Sequence, residues 1–454
     1  MEGVSPSTDS ASCLVISANQ VVTPYPVYPL GSAYVAGALQ RGGHRVHHFD
    51  MLADGGLPAL IEFLEGRTFD LVGVSIRNLD SVDSADPQGY LSDIVTTIEC
   101  VRTQISTTIV LGGPAFSIMP DQLMDLLQAD FGIVGEGEEI MPWLASEIAA
   151  GRKPEQKIFT ANSTTGVWCS SPLTASSAKY YTDHGGMLNV QTKRGCPHRC
   201  SYCSYPTIEG TRLRYRDPLE IVDEVKRLQS DSGAKYLFFT DSVFNDSDGH
   251  FREVANALIQ SRNSMPWSAY FRPDNITTSD LKLLKKSGLA AMELGTDAAT
   301  DETLEGINKR FRFADVLESH EKIIEQQIPC AHFIMLGGPN ENEHTVARGL
   351  KNIEKLSNSV VFAFIGIRIL PGTGIFNKAV DDGIIDPDQS LLEPIFYYSP
   401  QISREEIENR VSESFSNRID RIYPCHEFEA RIAMLHKLGQ VGPLWDLILQ
   451  KRRR

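Results

Sequence analysis

No window of this 454-residue chain approaches the roughly 18 uninterrupted apolar residues that a membrane-crossing helix needs. The opening, residues 1–12, is polar and serine-rich, without the basic and apolar blocks of a secretory signal. Basic residues are in deficit, 43 Lys and Arg against 58 Asp and Glu, and the resulting charge of −15 argues against a nucleic-acid partner. The one basic run, Lys451 to Arg454, reads as a solvated end. A disulfide framework is missing too, since only three of the eight cysteines cluster. That usage points to a reducing compartment, and the expected location is the cytoplasm. Also absent is a Gly-x-Gly-x-x-Gly turn after the first predicted strand, which removes an NAD- or FAD-binding reading.

What is present is one tight loop, Arg194-Gly-Cys-Pro-His-Arg-Cys-Ser-Tyr-Cys203, with Cys196, Cys200 and Cys203 spaced C-x3-C-x2-C. A [4Fe–4S] cluster normally takes four thiolates, so three leave one iron open to a substrate. Zinc would want a second Cys/His pair, and Cys169 and Cys330 are far away in sequence.

Around that loop the chain alternates β-type and helical periods. Strands are expected at 13–17, 45–49, 71–75, 108–111 and 131–134, each followed by a helix (31–41, 57–65, 90–104, 121–128, 138–149). That is the pattern of a doubly wound five-stranded parallel sheet, whose ligands sit beyond the strand carboxyl ends. Residues 151–187 read as a linker. Six further strand–helix units from 188 suggest an open, partial (β/α)6 barrel, and a small, mainly helical cap follows 374. The expected divisions are thus 1–150, 151–187, 188–374 and 375–454. Cys425, alone in the cap, is read as packing before chemistry.

The cysteine loop, with Tyr202 before its last cysteine, resembles the signature of the radical S-adenosylmethionine enzymes. The loops 22–31 (ending Pro29-Leu30-Gly31), 75–80 (opening Ser75-Ile76-Arg77-Asn78), Gly112-Gly113-Pro114 and Gly135-Glu136-Gly137-Glu138 resemble those of the cobalamin-binding domain that precedes many of them. The resemblance implies three cofactors: a [4Fe–4S] cluster on Cys196, Cys200 and Cys203, S-adenosylmethionine, and cobalamin. It assigns S-adenosylmethionine contacts to Tyr202, to Thr240-Asp241-Ser242, to Glu293, to Arg310 and to Gly337-Gly338. Each has a plainer reading: Asp241 as a helix N-cap, Arg310 as a solvated cation, Glu293 as a partner of a core cation. The chain has no Asp-x-His-x-x-Gly, so no histidine is expected beneath cobalt. Arg77 or Asn78 is expected there instead, since a guanidinium offers no lone pair. Alternatively Arg77 pairs with Asp80 or Asp83.

The implied activity is methylation of an unactivated carbon of a small molecule, through a 5′-deoxyadenosyl radical and methylcobalamin, with an external electron donor such as flavodoxin or ferredoxin. Alternatives are cyclisation, ring contraction or carbon–carbon bond formation by the same machinery, or a sensor of cobalamin or redox state without catalysis.

Overall fold

The computed structural model describes residues 10–161, 168 and 174–450. The residues 1–9, Cys169 and the tail 451–454 lie outside the described residues.

The first sheet is parallel throughout, in the order Arg45–Asp50, Ser12–Ser17, Leu71–Ser75, Thr108–Gly112, Phe131–Val134, Ile158–Thr160. The strands are apolar on both faces, as a sheet covered by helices on both sides requires. Strand order reverses on either side of Ser12–Ser17, and a crevice opens beyond its carboxyl end. The sheet has six strands where five were expected. The sixth, Ile158–Thr160, lies inside the presumed linker, and three residues are too few for periodicity to show. That segment also holds a helix, Ala175–Gly185, opened by the Thr174 side chain capping Ser177 N–H.

The second sheet is also parallel and has seven strands. Their order is Arg421–Ile422, Val360–Ile365, Cys330–Leu336, Leu289–Asp297, Trp267–Phe271, Leu237–Phe239, Leu188–Val190. The two-residue strand Arg421–Ile422 comes from the segment expected to be a mainly helical cap. Helices on the outside include Pro218–Ser232, held by an Asp217 cap, and Thr278–Lys286, opened by a Thr277/Asp280 capping box.

The two sheets do not have separate interiors. One apolar cluster runs from Ile76, Leu79 and Phe116 of the first to Ile307, Ile365 and Ile367 of the second. The carboxyl ends of both sets of strands therefore face each other across one space.

Candidate active site

That space is a cavity of about 380 Å³. One wall is Ser17, Ser75, Arg77, Gly112, Gly113 and 135–138; the other is Asn189, Gln191, Arg194, Tyr205, Glu209, Phe238, Thr240 and Tyr270. Tyr205 is 37% exposed and Tyr270 43%, yet both stand inside the molecule, their free surface turned to the cavity.

The glycines of the first wall leave bare backbone. Gly113 (φ 96°) has no alternative, because a Cβ there would lie 2.6 Å from Ile76 O. Beside it an apolar slot runs back along Val15, Gly73 and Val110 toward Met141, where a Cβ on Gly73 would come 2.5 Å from Met141 Cε. Arg77 reaches the cavity among Tyr25, Tyr205 and Tyr270. Neither carboxylate proposed as its partner holds it: Asp80 binds Arg368 at 2.9 Å, and Asp83 lies 3.9 Å from His426. Asn78 turns away into a separate hollow of about 110 Å³ on the far side of Arg77, lined also by Asn19, Tyr90 and Asp93.

The cysteine loop is pinned by backbone on three sides. Cys196 N–H donates to Gly210 O (3.1 Å), Ser201 N–H to Ile307 O (3.0 Å), and Ile375 N–H to Ser201 O (2.7 Å). All three cysteines are free. Burial pushes the Cys203 thiol up to about 12 and raises Cys196, so without a metal these groups stay protonated. The three sulfurs are not gathered within 4.8 Å of one another, as ligands of a single ion would be. A cluster, being larger, suits the spacing better.

Among the described residues the one set that is so gathered is His320, Cys330 and His332, between the helix Phe313–Glu325 and the strand Cys330–Leu336. It needs no ion. Ser357 O only accepts, so His320 Nε2 donates to it (3.0 Å); His320 Nδ1 then accepts from His332 Nε2 (3.1 Å), and His332 Nδ1 from Thr296 Oγ1 (2.7 Å). Burial keeps both rings neutral.

Several expected contacts are spent elsewhere. Asp241 is fully buried; it accepts from Thr192 N (2.7 Å) and Lys193 N (3.3 Å) and faces Lys193 Nζ at 3.5 Å. Ser242 donates to Gly195 O (3.0 Å), beside Cys196, while Thr240 alone of that trio reaches the cavity. Glu293 has no cationic partner among the described residues. It lies inside the barrel against Tyr270, and burial pushes its carboxyl up to about 8. Gly337 and Gly338 pack on Ile407 and Ile367, and Gly337 O accepts from Ser399 N–H (2.8 Å). Arg310 is exposed; its neighbour Lys309 is the cation turned inward. Lys309 pairs with Asp297, which accepts from Tyr202 Oη at 2.8 Å. Cys425 packs in the barrel interior and donates to Ala363 O (3.3 Å).

Sequence reasoning missed Glu209, Lys309, Asp297 and the alternation at Lys193-Arg194. In an extended segment neighbouring side chains point opposite ways. Lys193 accordingly turns under the start of the helix His250–Gln260, onto Asp246 (2.9 Å), and Arg194 turns the other way, to the cavity and the first sheet. Glu209 receives Gln191 Nε2 (2.8 Å) and Gly195 N–H (3.1 Å), and burial raises it to about 7.

Two families match parts of the chain: the B12 binding domain over residues 16–145 and the Radical SAM superfamily over residues 190–351. The chain is 24% identical to tryptophan 2-C-methyltransferase of Streptomyces laurentii, over 82% of this chain and 75% of that protein. It is 22% identical to cytidylyl-2-hydroxyethylphosphonate methyltransferase of Streptomyces wedmorensis, over 88% of each. The fold superposes with a TM-score of 0.84 on the radical S-adenosylmethionine methyltransferase TsrM from Kitasatospora setae, solved with cobalamin and a [4Fe–4S] cluster. That match is 22% identical and covers 98% of this chain and 99% of that one.

Proposed function

The chain belongs to the cobalamin-binding radical S-adenosylmethionine enzymes, and from that premise we propose that it methylates a carbon atom of a small organic substrate. One observation carries the reading: a single cavity touches both the glycine-rich strand ends of the first sheet and the residues that hold the cysteine loop. A methyl carrier and a cluster can meet one substrate only in such a shared space.

When bound, cobalamin carries a methyl group, and a [4Fe–4S] cluster supplies the electron that cleaves S-adenosylmethionine. The residues present suit both. Cys196, Cys200 and Cys203 would hold the cluster, and Lys309, neutralised by Asp297, lies close enough to Cys200 to feel its charge. The bare backbone of 112–113 and 135–137 would accept the corrin, and the slot toward Met141 a flat appended base. Arg77, which lines the same cavity, would offer the bound corrinoid a cation with no lone pair to give its metal. Phe238 and Tyr270, edge to face at 5.0 Å, with Tyr205, offer aromatic surface to the substrate. Glu293, neutral near pH 7, is the residue on which the Tyr270 hydroxyl rests.

The test is incubation of reduced, anaerobically reconstituted protein with S-adenosylmethionine and candidate substrates. S-adenosylhomocysteine formed together with 5′-deoxyadenosine supports radical methylation. Deoxyadenosine without homocysteine product would instead assign cyclisation or another rearrangement.

A further inference from the structure

The two glutamates of Gly135-Glu136-Gly137-Glu138 reach across to the cysteine loop. Arg194, two residues before Cys196, gives Nη1 to Glu136 (2.8 Å), Nη2 to Glu138 (2.6 Å) and Nε to Gln191 (3.1 Å). Arg214, opposite Arg194 on the paired strand, also binds Glu136. The guanidinium of Arg194 is shut from water by the Trp168 ring at 4.6 Å and the Tyr34 ring at 5.2 Å. Side chains of Arg194, Glu136 and Glu138 are only 6, 11 and 5% exposed.

Buried pairs of this kind add little net stability over an apolar packing of equal size, and in some proteins what they do instead is fix a register. Here the register is that of the cysteine loop. Gly195 stands alone between Arg194 and Cys196, and it has no slack. Its N–H is held by Glu209 and its carbonyl by Ser242; its φ is 89°, and Arg212 O stands 2.1 Å from where a Cβ would be. At the other end Gly135 N–H is held by Ser117 Oγ (2.9 Å), while 135–138 line the cavity.

We propose that Arg194 is a positioning residue through which the loop 135–138 and the cysteine loop set one another, so that corrinoid and cluster bind with positive coupling. This rests on the reading that both groups bind here. A coupling of this kind acts equally in both directions: a cluster that fixes Cys196 presents the corrinoid with its loop already in place.

The test uses the full chain under anaerobic conditions, with hydroxocobalamin titrated against cluster-loaded and iron-free protein and bound corrinoid read by its visible absorbance. The wild-type chain is expected to bind cobalamin about 5-fold or more tightly when the cluster is present. In Glu138→Gln that ratio falls toward one while both forms still bind. Glu136→Gln gives the same readout if Glu138→Gln fails to fold. Arg194→Lys, which keeps the charge but loses the fork, should retain more of the ratio than Arg194→Met. A wild-type ratio of one, or a Glu138→Gln protein that keeps the wild-type ratio, overturns the coupling. A wild-type chain that binds no cobalamin in either state fails differently, by removing the corrinoid reading itself.

Discussion

At the scale of single residues, two side chains, Arg77 lining the cavity and Glu293 behind Tyr270, have chemistry set by what they lack. Arg77 has no carboxylate partner among the described residues and no lone pair to give. Bound cob(II)alamin should therefore show an electron paramagnetic resonance spectrum without nitrogen splitting from a protein ligand, and Arg77→His should introduce one. Nitrogen splitting in the wild-type spectrum would remove Arg77 from that place. Glu293 lacks a cation, and burial lifts its carboxyl from 4.5 to about 8. Between those values the folded chain holds a proton that the unfolded chain releases, so rising pH costs stability, up to about 1.4 kcal/mol per unit. Above pH 8 the loss is complete. Glu293→Gln carries no such slope, and its melting temperature relative to wild type should climb between pH 6 and 8. An unchanged difference across that range would mean an ordinary carboxylate.

At the scale of elements, the cysteine loop is where sequence and structure agree most and where the sequence is least complete. The three thiols are legible because their spacing is chemistry in itself. The supports are not: Glu209, Lys309 and Asp297 are ordinary charged residues in sequence, and only the fold puts them beside the loop. Asp241 misleads for the same reason, since a carboxylate at a strand end looks available until the fold sets Thr192 and Lys193 against it. Strands such as Leu71–Ser75 and Phe131–Val134 appear at their expected positions, because apolar runs between turn residues announce them. The three-residue Ile158–Thr160 and the two-residue Arg421–Ile422 do not. Among the loop's own residues Gly195 is the sharpest test. Gly195→Ala forces a Cβ onto backbone at Arg212, so iron content after reconstitution should fall well below that of wild type. Gly210→Ala shares the positive φ, 80°, but meets nothing within 4 Å, and should keep most of its iron. Equal iron in both variants would show that the loop can move.

At the scale of the whole molecule, the two sheets are joined by polar contacts as well as by their shared apolar core. Tyr181 donates to Asp50 (2.7 Å), and Arg368, buried just past the strand Val360–Ile365, binds Asp80 on the loop that carries Arg77. Asp80→Asn leaves that guanidinium buried without its counter-charge, a change that costs about 3–5 kcal/mol. Chemical denaturation should show the loss as a lower midpoint, and a midpoint within error of wild type would mean that Arg368 finds another partner. The outer edges of the sheets carry a different consequence. Ile158–Thr160, Leu188–Val190 and Arg421–Ile422, which close three of the four edges, are three, three and two residues long. The fourth, Arg45–Asp50, is longer, but its exposed positions are Arg45 and His47. A neighbouring molecule thus finds almost no backbone to pair with, and where it finds some it meets polar side chains. Among the described residues, the edges of these two sheets offer little template for self-association.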